Sequence, residues 1–424
     1  MRKMADEERH YDVLVVGAGP AGLAAAARAA ERGIRVGLID NNPEVGGQIW
    51  RRASGHLQYL PVAREWIERV AQSPNIERIG GAYVAGLAGT RAVAVETAQG
   101  SQNIGFTRII LATGARELML PFPGWTLRNV VGAGALQALS KEGLAVKGKR
   151  VVVAGSGPLL LAVATSLHYA GAEIVCVAEQ APWWRLAGFA LRVASDKVKA
   201  RQGRSIRRAL RGVPYHAGAW PVEAYGGERV EGVTLRAGWR KWRESCDYLA
   251  YSSGLLPNVE LATLFGCRTE RGAVSVDRQQ RSSIFYVYCA GEITGIGGLE
   301  RSLVEGEIAG YAASGAQEQA QALAARRRSA LDFSRALERT FALRGALRRL
   351  AAPETVICRC EGIKLREWSA AQAWRAQRAQ AQCDKTGCEG RICCDAAQYL
   401  FGWRVNPARP ALYPDPASTA LIEA

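Results

Sequence analysis

Three observations in this 424-residue chain predict an α/β architecture, with two parallel-sheet units followed by a small cysteine-rich module. Residues 11–40 and 149–180 each read as strand, glycine turn, helix and strand. Six of the ten cysteines, Cys358, Cys360, Cys383, Cys388, Cys393 and Cys394, crowd toward the C-terminal end. The apolar fraction of 48% and charged fraction of 22% are those of an ordinary folded chain.

The first unit reads YDVLVVGAGPAGLAAAARAAERGIRVGLID. Val13 to Val16 is short and uniformly apolar, as a strand covered on both faces must be. Gly17, Gly19 and Gly22 then fill the three positions of a dinucleotide fingerprint. The first glycine makes the tight turn, the second lets backbone approach a pyrophosphate, and the third lets helix pack closely on strand. The helix N-terminus presents its unpaired N–H groups to the phosphates. Asp40 ends the second strand, where a carboxylate accepts hydrogen bonds from an adenosine ribose.

The second unit reads KRVVVAGSGPLLLAVATSLHYAGAEIVCVAEQ. Gly155 and Gly157 take the first two fingerprint positions and Glu179 the ribose position, which predicts NAD rather than a 2′-phosphorylated cofactor. Leu160 stands where the third glycine belongs, so the helix is expected to move from the strand or repack. Another adenine nucleotide, or an inherited scaffold without a ligand, stays open for this unit.

Between Cys358 and Cys360 lies one residue, then 27 before Cys388 and four before Cys393. Four thiolates suffice for a 2Fe-2S cluster, two to each iron. Zinc is the rival, but its structural sites prefer two to four residues between paired cysteines, and the CxC opening favours iron. Gly387 and Gly390 let backbone N–H groups reach the sulfurs, while Cys383 and Cys394 are expected not to be ligands. The segment 321–351 reads as a helical connector, with Leu331, Leu337, Phe341, Leu343 and Leu347 as candidate buried positions.

The 55 Lys and Arg against 39 Asp and Glu give a formal charge of +16. The basic runs Arg201 to Arg211, Arg326 to Arg328 and Arg344 to Arg349 lack the interleaved aromatics of a base-stacking platform, so no nucleic-acid partner is expected. A solvated helix face is the simplest reading; an anionic membrane or an acidic partner stays open. No uninterrupted apolar run reaches the ~18 residues of a transmembrane helix, and glycines and Pro20 break the run after Asp12 where a secretory leader would continue. The expectation is a cytoplasmic protein, with the inner membrane face as an alternative place. No cysteine precedes Cys176 and the second unit has no CxxC, which disfavours disulfide reduction. His10, His56, His168 and His216 form no constellation, so catalytic residues are unassigned.

ILATGARELMLPFPGW (110–125) and IFYVYCAGEITGIGG (284–298) resemble the crossing strand and the late flavin motif of two-dinucleotide flavoprotein reductases. With GAGPAG, VVVAGSGPLLLA and the VICRCE to CEGRIC tail, nearly the whole chain resembles a narrower group. These are the FAD-containing α (A) subunits of heteromeric amino-acid dehydrogenases and oxidases, of the D-hydroxyproline dehydrogenase, opine oxidase and hydrogen cyanide synthase type. They carry a C-terminal 2Fe-2S domain like that of bacterioferritin-associated ferredoxin.

The resemblance implies a two-dinucleotide-domain flavoprotein with a small iron-sulfur domain. The FAD domain would span 1–125 and 265–320, the inserted NAD(P)-binding-like domain 126–264, the connector 321–351 and the cluster domain 352–424. FAD would meet Gly17, Gly19, Pro20, Ala21 and Gly22, then Asp40, Asn41, Gly46, Gly47 and Gln48, then Ala112, Thr113 and Gly114. Gly291 and Glu292 would face the ribityl chain; many relatives have Asp at the latter position. Tyr251, Ser252 and Ser253 replace a glycine-richer turn and are expected to narrow the second groove. Asp384, Lys385 and Thr386 depart from the Arg-x-Gly-Met-Gly that precedes the third cysteine in relatives.

The implied role is electron transfer, with the amino acid, hydroxyproline first among candidates, oxidised on a flavin-containing β subunit. Further implied partners are a quinone or other acceptor and a small subunit like a ferredoxin. Two other readings stand beside it: a self-contained NAD(P)H-dependent, ferredoxin-reductase-like enzyme, and a non-catalytic zinc-containing assembly subunit.

Overall fold

The strand Arg9–Val16 sits at the centre of a seven-stranded sheet because every residue from Val13 to Val16 is apolar and covered on both faces. In the computed structural model, which describes residues 9–50, 61–369, 390 and 392–402, the chain forms two compact units. The first takes the residues up to Arg116 and Leu256–Arg335; the second takes Glu117–Leu255 and the described residues from Ala336 onward.

In the first unit the strands run in the order Ile76–Gly80, Val36–Asp40, Arg9–Val16, Gly100–Leu111, Ala92–Thr97, Tyr83–Gly89. The first four are mutually parallel, and Val287–Cys289 adds to Gly100–Leu111 in parallel. Val16 pairs with both Ile39 and Leu111, so three strands end together at the edge from which the glycine turn leaves. The alanine-rich helix Pro20–Ala30 is buried along almost its whole length. Its partner is Gly298–Ala313: a Cβ on Gly306 would lie 2.2 Å from the Ala21 carbonyl oxygen, so these helices meet backbone to backbone.

The second unit holds an all-parallel sheet in the order Tyr215–Ala217, Glu173–Glu179, Arg150–Gly155, Tyr248–Ser252, Val130–Gly132. An antiparallel ribbon, Ala219–Tyr225, Gly232–Ala237 and Arg240–Ser245, accompanies it. Leu160 is 1% exposed and packs in the core with Val151, Val153 and Val163, so its bulk is absorbed by apolar neighbours. In the connector only Leu347 of the five candidate core positions is fully buried. The buried residues of the helix Ala324–Phe341 are the smaller Ala330, Ser334 and Thr340, which allow a closer approach than leucine.

Among the described residues no helix is long and apolar enough to cross a membrane.

Candidate functional site

The glycine turn of the first unit is shaped by contacts that no side chain could share. A Cβ on Gly22 would lie 1.7 Å from the Gly17 carbonyl oxygen, and one on Gly17, at φ +103°, would lie 2.3 Å from that of Ala112. A Cβ on Gly19 would meet only an ordinary contact, Gly47 Cα at 3.9 Å. The helix beginning at Pro20 has no side-chain cap, so its first N–H groups are left for an anion. Asp40 accepts from the Ala18 N–H at 2.5 Å through Oδ2 and from the Asn42 N–H and Nδ2 through Oδ1. These bonds fix the carboxylate at the turn, and Oδ2 keeps a lone pair for a ribose hydroxyl. Gly46 donates to the Ala18 carbonyl, which brings the Gly46, Gly47 and Gln48 loop over the turn. Among the described residues the buried indole N–H of Trp50, at the end of that loop, has no partner. An uncapped helix N-terminus and a buried donor without a partner among the described residues fit a dinucleotide.

Ala112 donates to the Val16 carbonyl, which places Ala112, Thr113 and Gly114 beside the same turn. The Thr113 hydroxyl donates to Asn258 O and Asn258 Nδ2 returns a bond to Thr113 O. Gly291, at φ +80°, closes to within 2.8 Å of Ala21 Cβ when a Cβ is added. Burial pushes the neighbouring Glu292 carboxyl above the usual carboxylate range, opposed by the Gly298 N–H and by Arg301.

Glu305 is the residue that the motif reading missed. Fully buried, its Oε2 accepts from the Gly291 N–H at 3.1 Å and the Thr294 hydroxyl at 2.6 Å, while Oε1 accepts from Arg301 Nε at 2.9 Å. Arg301 reaches back to the Thr294 carbonyl at 2.8 Å. One buried ion pair thus sets the whole Gly291–Thr294 turn. The signal was present in SLVEGEIAGYAA, where two glutamates interrupt an otherwise apolar helix.

In the second unit Gly155, at φ +139°, would place a Cβ 1.7 Å from the Ser252 carbonyl oxygen. Glu179 is 1% exposed; Oε2 accepts from the Gly157 N–H at 2.7 Å and Oε1 from the Ala181 N–H at 2.8 Å. Burial nevertheless pushes its carboxyl up to about 7. A folded value above the ordinary 4.5 means that the native state holds the proton longer. The stability so gained is complete below about pH 4.5 and is lost as the pH rises through 7, amounting to ~3 kcal/mol. Thermal midpoints recorded across this range should fall with pH in the wild type and flatten in Glu179→Gln; equal slopes would remove Glu179 as their source.

The described part of the tail joins the second unit. Cys358 ends the strand Val356–Cys358 and Cys393 begins the helix Cys393–Phe401; both are buried and share one small core with Ile357 and Ala397. Cys393 therefore stands at a helix N-terminus, where the backbone dipole favours negative charge. Cys360 is exposed two residues beyond Cys358. Cys388 and Cys383 lie outside the described residues. Cys394 is half-buried, its N–H bonded to Gly390 O. The strand is anchored by Trp125, whose indole N–H donates to Val356 O at 2.6 Å and whose ring lies 5.1 Å beneath the Arg359 guanidinium. By contrast Cys176 and Cys246 are buried in the sheet region, and burial pushes both thiols up to about 12, where they stay protonated.

Residues 11–322 match the family model described as pyridine nucleotide-disulphide oxidoreductase. One subunit of the opine oxidase of Rhizobium meliloti is 30% identical, over 96% of this chain and 85% of that protein. The HcnB subunit of hydrogen cyanide synthase from Pseudomonas aeruginosa is 30% identical over 90% of each. Among solved structures, L-proline dehydrogenase from P. horikoshii aligns over 97% of this chain and 80% of its own, with a TM-score of 0.65 at 18% identity. The two glycine turns, the parallel strands that carry them and these likenesses together establish that the chain belongs to the pyridine nucleotide-disulphide oxidoreductase family, as an FAD-dependent oxidoreductase.

Proposed function

We propose that this chain is the FAD- and 2Fe-2S-containing electron-transfer subunit of a heteromeric dehydrogenase whose partner oxidises an amino acid or derived amine. The observation that carries this reading is the tail, where Cys358 and Cys393 enter one buried core and Cys360 follows at the CxC spacing. Relatives over nearly the whole length bear the names of oxidase and synthase subunits, which supports a multisubunit setting.

In this reading residues 1–125 and 265–320 form the flavin domain and 352–424 the cluster domain. Gly17, Gly19, Pro20, Ala21, Gly22, Asp40 and Asn41 hold the adenosine and pyrophosphate side of FAD. Gly46, Gly47, Gln48, Ala112, Thr113, Gly114, Gly291 and Glu292 line its remainder. Cys358, Cys360, Cys388 and Cys393 hold the cluster. FAD accepts electron pairs and releases single electrons, and the cluster carries them one at a time. The protein's own contribution is positional. Asp40 and the uncapped helix orient the nucleotide half, the Glu305 and Arg301 pair fixes the turn at Gly291, and Trp125 fixes the strand bearing Cys358. The partners would be a quinone or comparable acceptor, a flavin-containing β subunit and one further small, ferredoxin-like protein.

The second glycine turn supports one rival, a self-contained NAD(P)H-driven reductase. Mixing decides between them. Flavin bleaching by hydroxyproline, an opine, glycine or sarcosine only when the β subunit is added is the expected outcome. Rapid bleaching by NADH without a partner would replace this reading with the reductase.

A further inference from the structure

We propose that residues Phe341 to Leu350 are a built-in plug that keeps the second nucleotide groove closed, so that a dinucleotide enters only when this strap is displaced. The inference rests on the second unit alone and does not depend on the cluster.

A nucleotide bound to a Rossmann-like unit crosses the tip of the glycine turn and reaches the acid that ends the second strand. Here both places are taken by the chain itself. The Phe341 carbonyl accepts from the Ser156 hydroxyl at 3.1 Å, at the tip of the turn, and from Gln180 Nε2 at 3.3 Å, next to Glu179. Gln180 Nε2 also donates to Ser156 Oγ at 3.0 Å, and its Oε1 accepts from the Arg344 N–H at 3.2 Å. Ser156, Glu179 and Gln180 are at most 3% exposed.

Leu347, 2% exposed, fills what is left. The residual cavity, walled by Gly155, Gln180, Trp220, Tyr251, Ser253 and Leu347, is too narrow for a water molecule. Of the three residues expected to narrow the groove, Tyr251 and Ser253 line it, while the buried Ser252 turns its hydroxyl to the Gly254 carbonyl. Glu179 is bonded to backbone N–H groups much as Asp40 is, but it is 1% exposed where Asp40 is half-buried, and that burial leaves a ribose no approach.

The strap is also held from outside. The Arg344 guanidinium lies over the Trp220 ring at 5.3 Å, and that of Arg348 over the Tyr399 ring at 5.4 Å. The Tyr399 hydroxyl donates to the Arg344 carbonyl at 3.0 Å. Tyr399 belongs to the helix that begins at Cys393, so opening the groove loosens the support of that helix. A site whose competent state is a small fraction binds weakly in proportion to that fraction.

The test uses the full-length flavoprotein, titrated with NADH, NADPH and ADP by equilibrium dialysis, with trypsin cleavage after Arg344 and Arg348 followed in parallel. Wild type should show no saturable binding up to millimolar nucleotide and slow cleavage at both arginines. Leu347→Asp should be cut quickly and bind at least one of the three about tenfold tighter or better. Should that variant fail to fold, Tyr399→Phe removes only one hydroxyl from the outer support, and cleavage rate and affinity should rise together. Micromolar binding by wild type with Arg344 still protected would overturn the proposal. So would a variant that is cut freely yet gains no affinity for any of the three.

Discussion

Gly22→Ala should emerge from purification without flavin. The added Cβ would stand 1.7 Å from the Gly17 carbonyl oxygen, far inside van der Waals contact, and that atom is backbone in a turn already pressed on Ala112. Neither partner is a flexible side chain, so the helix must leave the strand or the turn must open. Overpacking of this kind costs about 3 kcal/mol, which on the binding equilibrium corresponds to about a hundredfold loss of FAD affinity. The flavin-to-protein ratio after gel filtration reads the effect directly. Gly86→Ala in the same unit is the control, since a Cβ there meets nothing within 4 Å, and it should keep its flavin. A yellow Gly22→Ala protein with a wild-type ratio would show that the turn does not hold the cofactor as described.

Loss of Glu305 should be strongly destabilising. Arg301 is 10% exposed at its side chain and its Nε is bonded to Glu305. Truncation in Glu305→Ala leaves that guanidinium buried beside Thr294 and strips the acceptor from the Gly291 N–H. Breaking one partner of a buried pair costs about 3–5 kcal/mol, or roughly 10 °C in thermal midpoint for a unit of this size. Glu305→Gln keeps an acceptor of the same length, so its fall should be smaller. Flavin retention is the second readout, because the turn carrying Gly291 and Glu292 would lose its fixed position. A Glu305→Ala protein that melts with the wild type would mean that the turn is set by something else.

What the sequence reveals, and what it hides, follows from the range of the forces involved. Val13 to Val16, the three glycines and Asp40 announce themselves because strand patterning, turn geometry and a terminal carboxylate are all local properties. Their observed register, Val16 opposite Ile39 and Leu111, is the one that a doubly covered strand needs. Leu160 looked like a steric problem in isolation, but its neighbours Val151, Val153 and Val163 accommodate it. Glu305 stands out as a charge in an otherwise apolar stretch of helix, but nothing local says that its partners are Gly291, Thr294 and Arg301. The strap is the extreme case. Phe341 and Ser156 are separated by 185 positions, and periodicity within the connector speaks only of its own faces. It therefore names Leu331, Leu337, Phe341 and Leu343 alongside Leu347, although Leu347 alone of the five is fully buried.

The tail was legible in its spacing and only partly in its packing. CxC followed by a distant cysteine pair raises the expectation of a four-thiolate site from ligand chemistry, and of those four Cys358 and Cys393 stand in one buried core. That Trp125, more than two hundred residues earlier, holds the first of these strands is a tertiary fact with no local trace. It gives one residue of the ILATGARELMLPFPGW segment a structural duty toward the cysteines that its motif does not suggest.

The central claim is that one polypeptide carries both a flavin and a two-iron cluster. The most direct measurement is the electron paramagnetic resonance spectrum of anaerobically purified, dithionite-reduced protein, taken with its flavin, iron, acid-labile sulfide and zinc content. FAD is expected together with iron and sulfide in the proportion of a 2Fe-2S centre, and with a matching signal that disappears on reoxidation. A colourless protein, or zinc without sulfide, would contradict the claim and return the chain to the reading of a non-catalytic assembly component.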